Sequence, residues 1–473
     1  MPAQMIRSEG GVVGGHVTVR FCINVLAAVL AILPLSAFAQ TSPAVAPKSV
    51  VAPHPGVDVE SIQARRQALF ERMLAQPDDL DAAFEYAALS VQVGDLEGAV
   101  ATLERMLIFA PGLPRLQLEL GVLYFRLAAF ETARSYFESA VSGPDVPPQV
   151  REKVETYLAS IDEATMKTRF TGQARVGIRY QTNANRAPNA GIITLNDLPF
   201  ELSDGGAPDG NVYGLGIFHV SHDLETQGDT LEADLLVYGS KQFHLDELDV
   251  GLMELTLGPA FDMRRFGMEN AAFGIYGIGS AMYLDGDFYS AGGGAGARFL
   301  WQPQPGFSLV HALEYRYRSY YNSESSPTAE LREGSEVRAV TSGRYILTPT
   351  ITLAANAYLQ YSDAQRDYLE NTEVGLAFSP SFAFDSPFGD GWADWVISPG
   401  AGLVYRHYAG PDPAVDADET EHDWELFAGA ELTVPLKDNW ALLAETEYRS
   451  YQSNYPTRDF DNFSVSLSLL KSF

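Results

Sequence analysis

The chain has 473 residues, a formal net charge of −29 and a single cysteine, with 46% hydrophobic and 11% aromatic side chains. A balance this acidic excludes the basic footprint that nucleic-acid binding requires and opposes adhesion to bare anionic lipid. Mean hydropathy is −0.07, as alternating polar and apolar runs produce, and after residue 39 no stretch approaches the about 20 consecutive apolar residues of a spanning helix.

Residues 1–39 read as a secretory signal peptide. Arg7 and Arg20 precede the apolar run Phe21–Leu35, and Ala37-Phe38-Ala39 supplies a small-x-small cleavage pattern, so Ala39 and Gln40 flank the expected cut. The run is too short to span a bilayer comfortably. Cys22 lies inside it and leaves with it, which gives a thiol-free mature chain of net charge −30 suited to an oxidising compartment. Residues 40–57 hold four prolines and read as a linker.

Residues 58–165 are helical in pattern and repetitive. Ala99 and Ala133, Leu103 and Phe137, and Pro77 and Pro111 are each 34 residues apart, the tetratricopeptide period. The second unit carries Leu120, Gly121, Tyr124, Ala133, Phe137 and Ala140 at the positions the pattern requires. The first is looser, with Tyr86, Ala87, Ala99, Leu103 and Pro111. An incomplete unit ends at Pro77, and Val150–Ala164 reads as a capping helix. Such arrays present a groove lined by the first helix of each unit, here Phe84, Ala88, Val91, Leu118, Val122 and Phe125. That face either receives an extended peptide or packs against neighbouring helices. The domain is expected in the periplasm.

From residue 166 to 473 the period becomes two. Phe170, Ala174, Val176, Ile178 and Tyr180 alternate with Arg169, Thr171, Gln173, Arg175 and Arg179, and the last run alternates Phe463, Val465, Leu467 and Leu469 with serines before ending at Phe473. Lipid outside and water inside impose this pattern on a transmembrane barrel. Fourteen runs are expected, starting near residues 168, 211, 229, 247, 270, 287, 306, 334, 350, 371, 392, 422, 439 and 460. The fold class is therefore α + β: helical repeats followed by a 14-stranded antiparallel barrel in the outer membrane. Tight turns at Pro303–Gly306, Thr348–Thr350 and Lys437–Asn439 alternate with longer loops at Asn183–Gly210, Asn322–Gly334, Ala409–Glu421 and Gln452–Asp459. The terminal Phe473 points to recognition by the barrel assembly machinery.

Parity aims charged residues into the lumen: Glu314, Arg316 and Arg318 facing Glu336, Arg338 and Arg344, with Glu425, Glu431, Glu445, Glu447 and Arg449 on later runs. They form a solvated ladder of ion pairs or a selectivity element. The acidic stretch Asp412, Asp416, Asp418, Glu419, Glu421, Asp423 lacks the glycine and spacing of a calcium loop. Gly292–Gly296 opens no helix and so is no phosphate cradle. His219, His222, His244, His311, His407 and His422 fall in no nucleophile or metal spacing, so neither an enzyme nor a cofactor is expected.

The plan, and the exit of the first strand, Tyr180-Gln181-Thr182-Asn183-Ala184-Asn185-Arg186-Ala187-Pro188 with its Tyr…Asn-x-Asn-x-x-Pro pattern, resembles the surface lipoprotein assembly modulators (Slam). Asn183, Asn185 and Pro188 carry the local likeness. The resemblance implies a non-enzymatic translocator whose repeat domain docks a secreted protein or lipoprotein in the periplasm and whose barrel passes it to the surface. The seam between first and last strands, poor in bulk at Gly172, Gly177, Ser464 and Ser466, is an expected opening, with Gly177 facing Ser466. The alternatives are an exopolysaccharide exporter and a passive porin with an accessory dock.

Overall fold

The computed structural model describes residues 59–143, 146–202, 205–389 and 391–473. The signal segment, the cut between Ala39 and Gln40 and the whole proline-rich linker, residues 40–57, lie outside the described residues. The chain divides into two units, one holding the helices up to Lys167 and the other the strands from Thr168 to Phe473.

Among the described residues six helices build the first unit: α1 (Val59–Ala75), α2 (Leu80–Gln92), α3 (Leu96–Met106), α4 (Pro114–Arg126), α5 (Phe130–Ala140) and α6 (Pro148–Thr165). The 34-residue period reappears in the starts of α2 and α4 and of α3 and α5. Asp79 and Asp95 accept from the backbone N–H groups of Ala82 and Gly98 at 2.9 Å, satisfying donors that a first turn leaves unpaired. Pro114 opens α4, where its missing N–H costs nothing. The alternation of small and large residues then fixes the packing. Ala99, Leu103, Leu120, Ala133 and Phe137 are buried, and a Cβ added at Gly121 would stand 2.7 Å from the Phe137 ring. Helix α6 closes the array by stacking Tyr157 on Phe137 at 4.9 Å.

The second unit is a closed barrel. Its strands are β1 (Thr168–Gln181), β4 (Asp209–Asp223), β5 (Thr230–Gln242), β6 (Val250–Asp262), β7 (Ala271–Leu284), β8 (Asp287–Gln304), β9 (Phe307–Tyr320), β10 (Gly334–Thr348), β11 (Ile351–Ser362), β12 (Asn371–Phe384), β13 (Trp395–Tyr408), β14 (His422–Pro435), β15 (Trp440–Ser453) and β16 (Phe460–Ser472). Each pairs antiparallel with its sequence neighbours, and β1 closes on β16. All fourteen starts fall within three residues of those read from alternation. A hairpin, β2 (Ile192–Leu195) and β3 (Leu198–Glu201), fills part of the first long loop and was not foreseen. Asn196 and Asp197, both at positive φ, make its turn. The turn expected at Pro303–Gly306 is shorter, because β8 runs on to Gln304; the register shifts between Trp301 and Gln304, which accommodates the N–H that Pro303 lacks.

The outer wall carries two aromatic girdles. Near the end that bears both strand termini stand Phe170, Phe273, Trp301, Phe382, Phe384, Trp440 and Phe473. Toward the other end stand Tyr180, Tyr283, Tyr315, Tyr361, Trp424 and Tyr448, and between them lie Leu255, Leu257, Leu313, Leu376, Leu426 and Leu467. An apolar belt between aromatic rims is the outer surface of a barrel that sits in an outer membrane. Phe473 belongs to the first girdle: its N–H donates to the Gly172 carbonyl and its ring lies 6.3 Å from Phe170.

At the seam Gln173–Gln181 pair with Ser464–Ser472, while Thr168–Gly172 are paired only with β4. The expected facing pair is corrected by this register. Gly177 stands opposite Ser468, and Ser466 stands opposite Arg179. A two-residue slip preserves which face each side chain takes, so alternation alone could not fix it.

Candidate functional site: the lumen and its far mouth

The inner face collects the charged residues that alternation aims inward. On β9 and β10, Glu314 stands opposite Arg338 and Arg316 opposite Glu336, while Arg344 stands opposite Ser308. On β14 and β15, Glu431 stands opposite Glu445, and Glu447 is bonded to Arg449 at 3.0 Å. The hydrogen bonds, however, often skip the facing partner. Arg316 reaches Glu254 on β6 at 2.5 Å and Glu314 at 2.7 Å, and Arg318 takes Glu336 at 3.0 Å. Arg298 on β8 reaches Glu232 on β5 at 2.6 Å, and Arg175 on β1 reaches Glu445 at 2.9 Å and Glu431 on β14 at 3.3 Å.

Arg316–Glu254, Arg298–Glu232 and Arg175–Glu431 each join strands three ladder steps apart. Strands lie about 4.8 Å apart, so that arc is roughly 14 Å of wall. Two side chains meet over it only by leaving the wall and crossing the curve as a chord. The chords narrow the lumen. Toward the far mouth Arg406 bonds Glu373 and donates to the Tyr451 hydroxyl at 2.9 Å, Arg449 bonds Glu425, and Tyr451 donates to Asp423 at 2.5 Å. Arg338 lies over the Tyr358 ring at 4.9 Å. Glu232, Glu254, Arg298, Glu373 and Arg406 were not singled out in the sequence, although their inward parity on charged strands was the available signal.

The end away from the termini is covered by three stitched loops. Asn183, 6% exposed, brackets Ala187: its Oδ1 accepts from the Ala187 N–H at 3.0 Å and its Nδ2 donates to the Ala187 carbonyl at 2.8 Å. Asn185 accepts from Ala207 N–H at 2.8 Å. Pro188 is buried in the same turn. Asn189 bonds Asp459 in the β15–β16 loop and Asp461 at the start of β16, and the hairpin's Asn196 donates to the Pro413 carbonyl at 3.1 Å. Tyr455, 1% exposed, donates to the Glu419 carbonyl at 2.5 Å and accepts from the Asp412 N–H at 3.0 Å. The three residues of the family-like pattern thus build the mouth cover. Asparagine suits this work because one amide both donates and accepts.

Within the acidic loop, Asp412 caps Ala414 N–H and Asp416 caps the N–H groups of Asp418 and Glu419, so these carboxylates are turned onto their own backbone. Glu421 is buried beside Arg458 at 3.4 Å. Burial, with Asp423 and Asp412 close by, outweighs that arginine and raises the Glu421 carboxyl to about 7. Among the described residues no group of three metal-ligating side chains comes together. Gly292–Gly296 lies inside β8.

In the helical unit Phe84 is half-buried under the Arg115 guanidinium, 4.4 Å from its ring centroid, and Val91 packs on the first core cluster. Ala88 is exposed. Leu118, Val122 and Phe125 pack on the cluster around Phe137, Val154 and Ile161, with Phe125 edge-on to Tyr157 at 5.4 Å. Between the repeats the Tyr124 hydroxyl donates to Glu104 at 2.5 Å, a bond that, with burial, raises the tyrosine to about 12.

No family model matches the chain, and no curated protein matches it. Among solved structures, the Yersinia enterocolitica type III secretion chaperone SycD in complex with a peptide of the translocator YopD is 13% identical, covering 23% of this chain and 84% of that one with a TM-score of 0.21. A bacterial polysaccharide outer membrane secretin is 10% identical over 64% of this chain and 98% of that one, with a TM-score of 0.33. A Pseudomonas aeruginosa FadL homologue is 11% identical over 64% and 90%, with a TM-score of 0.34.

Proposed function

We propose that the protein is a gated outer-membrane conduit that passes protein or lipoprotein clients to the cell surface, with its helical repeat unit docking the client in the periplasm. The observation that carries this reading is the set of arginine chords across the lumen beneath a covered mouth. Free diffusion of solutes needs a lumen left open, and these bonds oppose it. Traffic through such a barrel is admitted by a client that displaces them. Arginines on the inner wall are paired with carboxylates, as in Arg316–Glu254, Arg298–Glu232 and Arg175–Glu431, so charges of both signs line it. That suits a polypeptide of mixed side chains better than a uniformly charged glycan. The repeat unit supplies a helical surface of the kind that takes extended peptides.

Surface proteomics of a deletion strain tests the reading. The expected result is loss of one or a few surface proteins, restored by the wild-type gene. Loss of a surface polymer with an intact surface proteome would instead favour the exopolysaccharide exporter.

A further inference from the structure

The turn after β1 points a charged side chain into the lumen. Arg186 stands at a φ of +51°, a left-handed conformation that strains an L side chain, and Asn183 brackets the turn from both sides. Its guanidinium lies close enough to Arg449, Glu425, Tyr451 and Arg406 for their charges to act on it. Glu425, the carboxylate among them, already serves both Arg449 and Arg406. Among the described residues the Arg186 guanidinium makes no hydrogen bond or ion pair of its own.

A third guanidinium beside two others, on a strained backbone, is not held by its own charge. The loop holds it. Buried Asn183 and Ala187, the Asn189–Asp459 contacts and the hairpin's bonds to the acidic loop supply that hold. Strain stored in this way recurs where a segment changes position to work.

We propose that the turn Thr182–Asn189, with the hairpin β2–β3 behind it, is a latch on the far mouth whose Arg186 finger occludes the lumen, and that the conduit opens when this latch lifts. The inference rests on the conduit reading but holds whichever polymer passes.

Single-channel recording of the full-length protein in planar bilayers tests it. Asn183→Ala removes the bracket and is expected to raise the open probability about tenfold, the effect of losing one to two net hydrogen bonds. Asn189→Cys/Asp459→Cys, in a Cys22→Ser background, is expected to abolish openings until a reductant restores them. An assembled Asn183→Ala barrel that opens within twofold of wild type, or an oxidised double cysteine that opens as often as the reduced one, overturns the latch. Should Asn183→Ala fail to assemble, the disulfide arm decides alone. A failed export assay leaves the latch standing, and an unaltered open probability leaves the export reading standing.

Discussion

Glu421 shows how one residue ties the mouth cover to pH. Its carboxyl is buried with Asp423 and Asp412 nearby, and its folded value of about 7 exceeds the ordinary 4.5. A group raised in this way favours the folded cover below the ordinary value, and that contribution is lost as pH rises through the folded value. Arg458, Arg406, Tyr408 and Tyr451 face the same cluster from neighbouring elements, and arginine and tyrosine side chains ordinarily titrate well above that window. Protection of the Asp412–Glu421 amides against hydrogen exchange, corrected for intrinsic rates, is therefore expected to fall between about pH 4.5 and 7. In Glu421→Gln the fall should vanish. An equal fall in the variant would place the titration elsewhere.

At the scale of the element, β8 separates two kinds of glycine. A Cβ at Gly294, on the inner face, would stand 2.1 Å from the Tyr315 carbonyl, whereas one at Gly293, on the lipid face, meets nothing within 4 Å. Gly294→Val is therefore expected to disrupt the β8–β9 ladder and lower the yield of heat-modifiable barrel several-fold, while Gly293→Val assembles normally. Equal yields would show that the inner wall relaxes around the added carbon. The contrast also marks what the sequence made legible. Strand positions were readable because lipid and water act on every residue, and Thr168–Gln181 or Phe460–Ser472 display both faces in order. The 34-residue period likewise located α2–α5, since helix-to-helix contacts demand small residues at Gly121 and Ala133. Register was not readable, because a slip of two leaves the pattern intact; Gly177 and Ser468 meet for reasons set around the whole ring. The adjacent-strand pair Arg318–Glu336 was legible, but sequence shows parity and not the chord that lets Arg316 reach Glu254 three ladder steps away. The Asn-x-Asn-x-x-Pro turn was visible as a pattern, but the bonds of its Asn183 to Asp461 and Asn462 join segments more than 200 residues apart.

For the molecule as a whole, the net charge of −29 has few places to go. The lipid face admits almost no charge, and the inner wall balances its arginines against carboxylates. The excess acidity therefore falls largely on the loops and the helical unit, with Asp246, Glu247, Asp249, Asp412, Asp416, Asp418 and Glu419 all near the far mouth. That division of surfaces follows from one premise, that lipid contacts one side of every strand and an aqueous lumen the other. A cysteine scan along β12, Thr372–Phe378, in the membrane-embedded protein measures it directly. The account predicts that a water-soluble thiol reagent modifies Glu373→Cys, Gly375→Cys and Ala377→Cys while Val374→Cys, Leu376→Cys and Phe378→Cys stay protected and respond to a lipid-phase quencher. Uniform modification along the strand, or an alternation of the opposite phase, would contradict it.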